Sequence, residues 1–227
     1  MLKEKTFLAI IPARGGSKRL PRKNVIDLHV KPLIEWSISS GLQSRYIDKV
    51  VVSSDDDEIL RVSKKYGADT INRPDSLASD TAITFDAIKH TIDNIEAYDY
   101  IVLLQATSPL RSAKHIDEAI ELFEAKKADA VVSVCEMEHS PLWSNTLDES
   151  LSMKGFLRND VLNSISQDLE SYYRLNGAIY ICRTDKFLRE KSFFLKDNIF
   201  AYVMDRESSV DIDEEIDFKL AEVLINA

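Results

Sequence analysis

Five short runs along this chain are apolar almost without interruption: "FLAII" (7–11), "KVVVSS" (49–54), "YIVLLQ" (100–105), "ADAVVSVC" (128–135) and "GAIYIC" (177–182). They are rich in Val and Ile, and they lack the in–out alternation of a half-exposed strand. Such runs are expected of strands buried on both faces, in a parallel or mixed sheet covered by helices. Between them lie segments with helical spacing: "PLIEWSISSGLQ" from Pro32, "DEILRVSKKYG" ending at Gly67, "TAITFDAIKHTIDNI" from Thr81 and "AKHIDEAIELFEAKK" from Ala113. In the last, Ile116, Ala119, Ile120 and Phe123 recur at helical spacing, with acids early and lysines late, as the helix dipole favours. A further helix is expected through "FKLAEVLI" (218–225). The alternation predicts an α/β layered domain with a mostly parallel sheet.

One stretch departs from this pattern. From Met137 to about Ser171 no period holds, although Leu142, Trp143, Leu147, Leu151, Phe156 and Leu157 are apolar. A long irregular segment inside a compact domain is usually functional or covered. We read 137–171 as a protruding subdomain that packs on a second copy of the chain. No repeat or linker interrupts the rest, so residues 1–227 are expected to form one domain with this excursion.

Composition narrows the classes of function. The 227 residues carry 38 acidic and 29 basic side chains, a formal charge of −9. That balance argues against a general role on nucleic acid or on a membrane surface. No apolar run approaches the length of a membrane span, and the N-terminal apolar run is broken by Pro12 and Arg14. The two cysteines, Cys135 and Cys182, sit in strand-like runs and read as small core residues. The chain therefore reads as cytoplasmic.

Against this acidic background, "RGGSKRLPRK" (14–23) holds five basic residues and no acid. It follows the first strand directly, and in open α/β sheets ligands bind beyond the carboxyl ends of strands. Gly15 and Gly16 let backbone amides approach a ligand, Arg14 offers a planar fork, Lys18 and Lys23 offer point charges, and Ser17 offers a hydroxyl. The spacing is neither GxxxxGK[ST] nor GxGxxG. The loop reads as a polyphosphate site, with Arg19 and Arg22 set aside as solvated.

Near the other end, "VDIDEEIDF" offers two readings. If 210–213 is extended, Asp211 and Asp213 point to one side and suit Mg²⁺. Alternatively they belong with Glu214, Glu215 and Asp217 to the acidic first turn of the last helix. The residues alone leave Asp211 and Asp213 between the two and place the other three acids in the helix. In "LLQATSPLR", Gln105, Thr107 and Ser108 sit where a ligand would lie, while Ser112 just beyond is a candidate helix cap. In "NRPDSLASDTA", Arg73 is a basic group, and Ser79 or Asp80 is a candidate cap. The four histidines show no ligand spacing, and no GxSxG is present.

Taken together, "AIIPARGGSKRLPRKN" (9–24), "RPDSLASDTA" (73–82), "LLQATSPLR" (103–111), "YYRLNGAIYI" (172–181) and "VDIDEEIDFKLAE" (210–222) resemble the cytidylyltransferases that activate sialic acids and their legionaminic and pseudaminic relatives. The resemblance spans nearly the whole chain. It implies a Rossmann-like nucleotidyltransferase fold in three layers, a homodimer, and Mg²⁺-dependent transfer of CMP from CTP to a nine-carbon sugar acid. It also implies that Arg14, Gly16, Ser17, Lys18, Lys23, Asn24, Arg73 and Ser79 hold the nucleotide, with Arg14, Lys23 and Asp211 acting in catalysis. Asp211 and Asp213 would be the metal pair, and Gln105, Tyr180, Phe193 and Phe194 the sugar pocket. Several family members carry a basic residue where this chain has Trp143, and an arginine where it has Ser166. The alternatives are the cytidylyltransferase for 3-deoxy-manno-octulosonate, or a non-catalytic nucleotide-binding dimer.

Overall fold

The computed structural model describes residues 4–78 and 83–226. The four leading apolar runs form β1 (Phe7–Pro12), β4 (Lys49–Ser54), β6 (Tyr100–Leu104) and β7 (Ala130–Glu136). "GAIYIC" lies inside a longer strand, β8 (Tyr173–Arg183). Two strands of the large sheet escaped the sequence reading, β5 (Asp69–Asn72) and β9 (Ile199–Met204). They close the two edges of a seven-stranded sheet of order β5–β4–β1–β6–β8–β7–β9. β5, Asp-Thr-Ile-Asn, carries no apolar run, whereas β9, Ile-Phe-Ala-Tyr-Val-Met, is apolar throughout and was passed over. A two-stranded ribbon, β2 (Asp27–Leu28) and β3 (Lys31–Pro32), stands apart.

Every strand of the large sheet runs parallel to the others except β8, which is antiparallel to both β6 and β7. From β1 the chain winds outward through β4 to β5 and then crosses back to β6 on the other side of β1. The crevice beyond the carboxyl ends of β1 and β6 is thus the point where strand order reverses, the usual ligand position in such sheets.

Both faces of the sheet are covered, giving three layers. On one face α1 (Leu33–Leu42), α2 (Asp57–Lys65) and α4 (Ala113–Lys126) bury Ile34, Ile38, Ile59, Ile116, Ile120 and Phe123 against Phe7, Ala9 and Ile11. On the other, α3 (Thr84–Asp93) and α5 (Thr184–Glu190) bury Ile88 and Phe187 against Leu8 and Ile10. The period of two within β1 sends its apolar residues to both cores. Replacing Phe123 by Ala would cost about 3–5 kcal/mol of this packing.

Helix ends follow local chemistry. Ser112 caps α4, accepting from the His115 amide, while His115 Nδ1 accepts from the Ser112 amide at 3.3 Å. His115 is therefore occupied at a helix end. The cap position of α3 is Ile83, with no side-chain bond, and the candidate caps Ser79 and Asp80 lie outside the described residues. Cys135 and Cys182 are free and buried. Among the described residues no helix is long and apolar enough to cross a membrane.

Between β7 and β8 the 137–171 segment has only two short 3-10 turns, Pro141–Trp143 and Ser166–Asp168. It leaves the sheet from the carboxyl end of β7, on the crevice side, and exposes Leu147, Leu151, Met153, Leu162 and Ile165.

Candidate active site

The basic loop after β1 is braced from below. Asn24, buried, donates Nδ2 to the Arg14 carbonyl at 3.0 Å, and the Ser17 amide turns back to the Gly15 carbonyl at 3.0 Å. The Gly15 amide donates to Asp55 Oδ1 at 3.2 Å. A Cβ on Gly15 would lie 2.7 Å from Asp56 Oδ2, so the loop rests on that carboxylate only because residue 15 is glycine. A Cβ on Gly16 would meet nothing, so that backbone borders open space. Asp56 is itself the cap of α2, accepting from the amides of Glu58 and Ile59. Arg22 pairs with Asp56 and Glu58. It is thus tied to α2 rather than merely solvated, which corrects the expectation for this side chain.

Arg73 reaches the same crevice from the end of β5. It is buried, its guanidinium lies 3.6 Å from Asp55 Oδ1, and its Nε has no hydrogen-bond partner among the described residues. Burial pulls its pKa below the ordinary arginine value, with Asp55 opposing that shift. The crevice holds a cleft of about 330 Å³. Arg14, Lys23, Asn24 and Arg73 make its polar wall, Leu77, Ile83, Ala87 and Leu103 its apolar wall, and Gln105 and Thr107 belong to its β6 side. Such a cleft suits a ligand with a flat apolar part and an anionic tail. Lys18 lies on the same loop, and Ser79 falls outside the described residues.

The last stretch of chain closes the crevice. Ile212 is fully buried while Asp211 and Asp213 on either side are exposed, the alternation of an extended segment. The Ile212 amide donates to the Thr107 carbonyl at 2.8 Å, fastening this segment to the end of β6. Asp213 receives Lys23 Nζ at 3.0 Å and Arg19 Nη1 at 2.9 Å. Chiefly the Lys23 hydrogen bond holds its carboxyl below the usual range. Arg19 thus has an acidic partner, a second correction to its reading as solvated. Asp211 is shifted the other way: partial burial raises its pKa, the bond with Thr107 opposes this, and neighbouring Asp213 adds to it.

Glu214 and Asp217 do belong to the helix, α6 (Glu215–Ile225). Asp217 Oδ2 accepts from the Asp213 and Glu214 amides at 3.0 and 2.8 Å. That leaves Asp211 and Asp213 as the two carboxylates of the extended segment. Their oxygen donors are of the kind Mg²⁺ prefers, and by that chemistry the pair fits the ion. Lys23 and Arg19 already sit on Asp213, so a metal there would share or displace those contacts. Among the described residues no third His, Cys, Asp or Glu completes the set, so further ligands would come from substrate and water.

The sugar-side residues gather where β6 meets β8. Tyr180 is buried, 5.5 Å from the Phe193 ring and 6.3 Å from that of Phe194. Burial raises its pKa, and Asp211 adds to the shift. Phe193 also packs 4.7 Å from Phe187 and is a core residue, whereas Phe194 is 54% exposed. Only Phe194 is therefore free to cover a ligand with much of its ring. Gly177, which the sequence reading passed over, sits between the parts: its φ is +75°, and a Cβ there would lie 2.7 Å from Gln105 Oε1 and 3.6 Å from Asp211 Oδ2. The available signal was a glycine inside a strand pattern, which marks a bulge or close approach. A buried network supports it. Asn176 donates to Ser209 Oγ at 2.9 Å and accepts from Ser133 Oγ at 2.6 Å, tying β7 and β8 to the turn before Asp211.

The pattern of the cytidylyltransferase family matches residues 8–226. The chain is 38% identical over 223 residues to the N-acylneuraminate cytidylyltransferase of Escherichia coli O18:K1:H7, covering 95% of this chain and 51% of that one. It thus spans about half the length of that relative. It is also 38% identical to the pseudaminic acid cytidylyltransferase of Campylobacter jejuni, with 96% and 95% of the two chains covered. Among solved structures, a CMP-2-keto-3-deoxy-manno-octonic acid synthetase complexed with CTP superposes with a TM-score of 0.73 at 18% identity, over 97% of this chain and 98% of the other. That likeness shows a shared fold. With a family pattern over nearly all of its length and a relative matched end to end, this chain belongs to the cytidylyltransferase family.

Proposed function

We propose that the chain transfers CMP from CTP to a nonulosonic acid, releasing pyrophosphate. The observation that carries this reading is the meeting of two distant stretches in one crevice: Lys23 of the basic loop touches Asp213 of the acidic segment. Triphosphate binding and metal binding are thus adjacent. In this reading the nucleotide lies in the 330 Å³ cleft, its base toward Leu77, Ile83 and Leu103 and its phosphates toward Arg14, Lys23 and Arg73. The sugar acid lies beside Gln105, Tyr180 and Phe194.

The anomeric hydroxyl attacks the α-phosphorus in line, a new phosphorus–oxygen bond forms, the bond to the β-phosphate oxygen breaks to release pyrophosphate, and the hydroxyl proton passes to solvent. Such transfer depends on positioning and on neutralising charge more than on covalent help from the protein. Mg²⁺, when bound by Asp211 and Asp213, supplies Lewis-acid stabilisation of phosphate charge. Arg14 and Lys23 orient the triphosphate and stabilise the departing pyrophosphate, Asn24 fixes the backbone of Arg14, and Gln105 orients the sugar. A second copy of the chain covers the apolar residues of the 137–171 excursion. Relatives at equal identity are named for different acids, and Trp143 stands where several carry a base, so N-acetylneuraminate has no advantage over legionaminate or pseudaminate.

The test is pyrophosphate release from CTP and Mg²⁺ with N-acetylneuraminate, legionaminate, pseudaminate and 3-deoxy-manno-octulosonate side by side. Turnover with one of the nine-carbon acids is the expected result. Silence across all four, with CTP still bound, would overturn the reading in favour of a nucleotide-binding module.

A further inference from the structure

Arg111 is among the largest fully buried side chains of the molecule, only 1% exposed. Among the described residues it has no carboxylate partner: Nη1 donates to the carbonyls of Gln105 (3.3 Å) and Ala178 (3.0 Å), and Nη2 to Ser40 Oγ (3.2 Å). Nε has no hydrogen-bond partner among them. Burial lowers its pKa to about 9, so it still carries its charge at neutral pH. A buried cation satisfied only by neutral oxygens is costly, and a well-packed apolar side chain would make the more stable core.

What it grips gives it a use. The β6–β8 ladder ends at the pair Leu104 and Ile179. The next two residues are Gln105 and Ala178, beside Gly177 with its positive φ. Arg111 binds the carbonyls of both and so takes over from the ladder where it stops. The Gln105 carbonyl is further fixed by Ser37 Oγ at 3.0 Å and the Ser108 amide at 3.3 Å. In front, the Gln105 carboxamide rests on the bare backbone of Gly177. Gln105 is held at both ends, from behind by Arg111 and from the front by Gly177.

We propose that Arg111 is a positioning residue for the sugar acid, acting through Gln105. The proposal rests on the cytidylyltransferase reading above. It is tested on the full chain with Arg111→Met, Arg111→Lys, Gln105→Ala and the double variant R111M/Q105A. We expect R111M to raise KM for the accepted acid about tenfold, to leave the CTP Kd within about threefold, and to add little to Q105A, the non-additivity of residues that act as a unit. Arg111→Lys, with one ammonium for three oxygens, should give an intermediate KM. A purely structural role would shift Tm and leave KM alone. The inference is overturned by multiplicative effects in the double variant, or by a wild-type KM in R111M. If R111M does not fold, R111K decides: a raised KM supports the role and an unchanged one ends it. If the wild-type chain is silent with every acid, the functional reading fails, and a crystal structure of R111M decides the inference separately. Gln105 displaced from Gly177 supports it; Gln105 unmoved overturns it.

Discussion

Lys23 Nζ stands 3.0 Å from Asp213 Oδ1, joining two residues 190 positions apart in the chain. The same ammonium bonds the Ile212 carbonyl at 2.8 Å, so it is fixed at the border between the proposed phosphate and metal sites. Replacing Lys23 by Met removes the charge with little change in bulk. We expect kcat/KM for CTP to fall about 10²–10³-fold, the scale seen when a group stabilising transition-state charge is lost. Pyrophosphate release over a CTP titration measures it, and a loss below about threefold would take Lys23 out of the machinery.

Asp211→Asn keeps the shape of the side chain and removes its charge. Turnover should drop to background at every Mg²⁺ concentration, with the far-UV spectrum and Tm close to wild type. Direct titration with Mn²⁺, followed by electron paramagnetic resonance, should show weakened binding in the same variant. Near-normal turnover would refute the metal role.

Gly177→Ala meets two obstacles, a positive φ and the Gln105 carboxamide 2.7 Å from the new Cβ. A loss of about 1–3 kcal/mol in urea unfolding is expected from the backbone strain alone. KM for the sugar acid should rise with it, because Gln105 must move. Unchanged stability and an unchanged KM would show that this rim yields freely.

Asp56 links the loop to α2 electrostatically. Burial disfavours its charge, but Arg22 and the amides of Ile59 and Glu58 outweigh that and hold its pKa below the ordinary aspartate value. A depressed carboxylate stabilises the fold above its unfolded pKa, and that contribution is lost as pH falls through the lower folded value. Asp56→Asn retains a capping side chain and loses the ionic part. The variant should be less stable by about 1 kcal/mol at neutral pH, a modest figure because Arg22 is partly solvated. The gap should close as unfolding is measured at progressively lower pH; a gap independent of pH would exclude the ionic contribution.

The apolar residues of the excursion give the assembly prediction. Leu151→Glu combined with Met153→Glu places charge on two exposed apolar positions. Sedimentation should show the dimer giving way to monomer. A wild-type chain that is already monomeric at micromolar concentration would end the proposal.

The buried strands were legible because burial on both faces leaves a continuous apolar run. Of the edge strands, β5 is four residues with polar ends and leaves no such run, while β9 is apolar throughout and was legible but passed over. The basic loop could be placed because it follows the first such run. Its individual charges could not be sorted, because the partners of Arg19 and Arg22 come from Asp213 and from α2, far along the chain. Local chemistry did predict Ser112 as a cap and the role of the acids after Asp213. Gly177 and Arg111 were hidden for a common reason. Each is explained by the splaying of β6 from β8, and strand order and direction are not written in a pattern of hydrophobicity.

That one strand, β8, runs against its neighbours has a consequence for divergence. A parallel strand would deliver its last residues to the crevice; β8 delivers its first half there, directly after the excursion. The groups assigned to the nucleotide precede it, mostly within the first half of the chain, while most of those assigned to the sugar and the metal follow the excursion. Acceptor choice is thereby separable from donor choice along the polypeptide. An exchanged segment from the end of β7 through Phe194 would carry the excursion, Tyr180, Phe193 and Phe194 together, and would leave the proposed triphosphate cradle after β1 untouched.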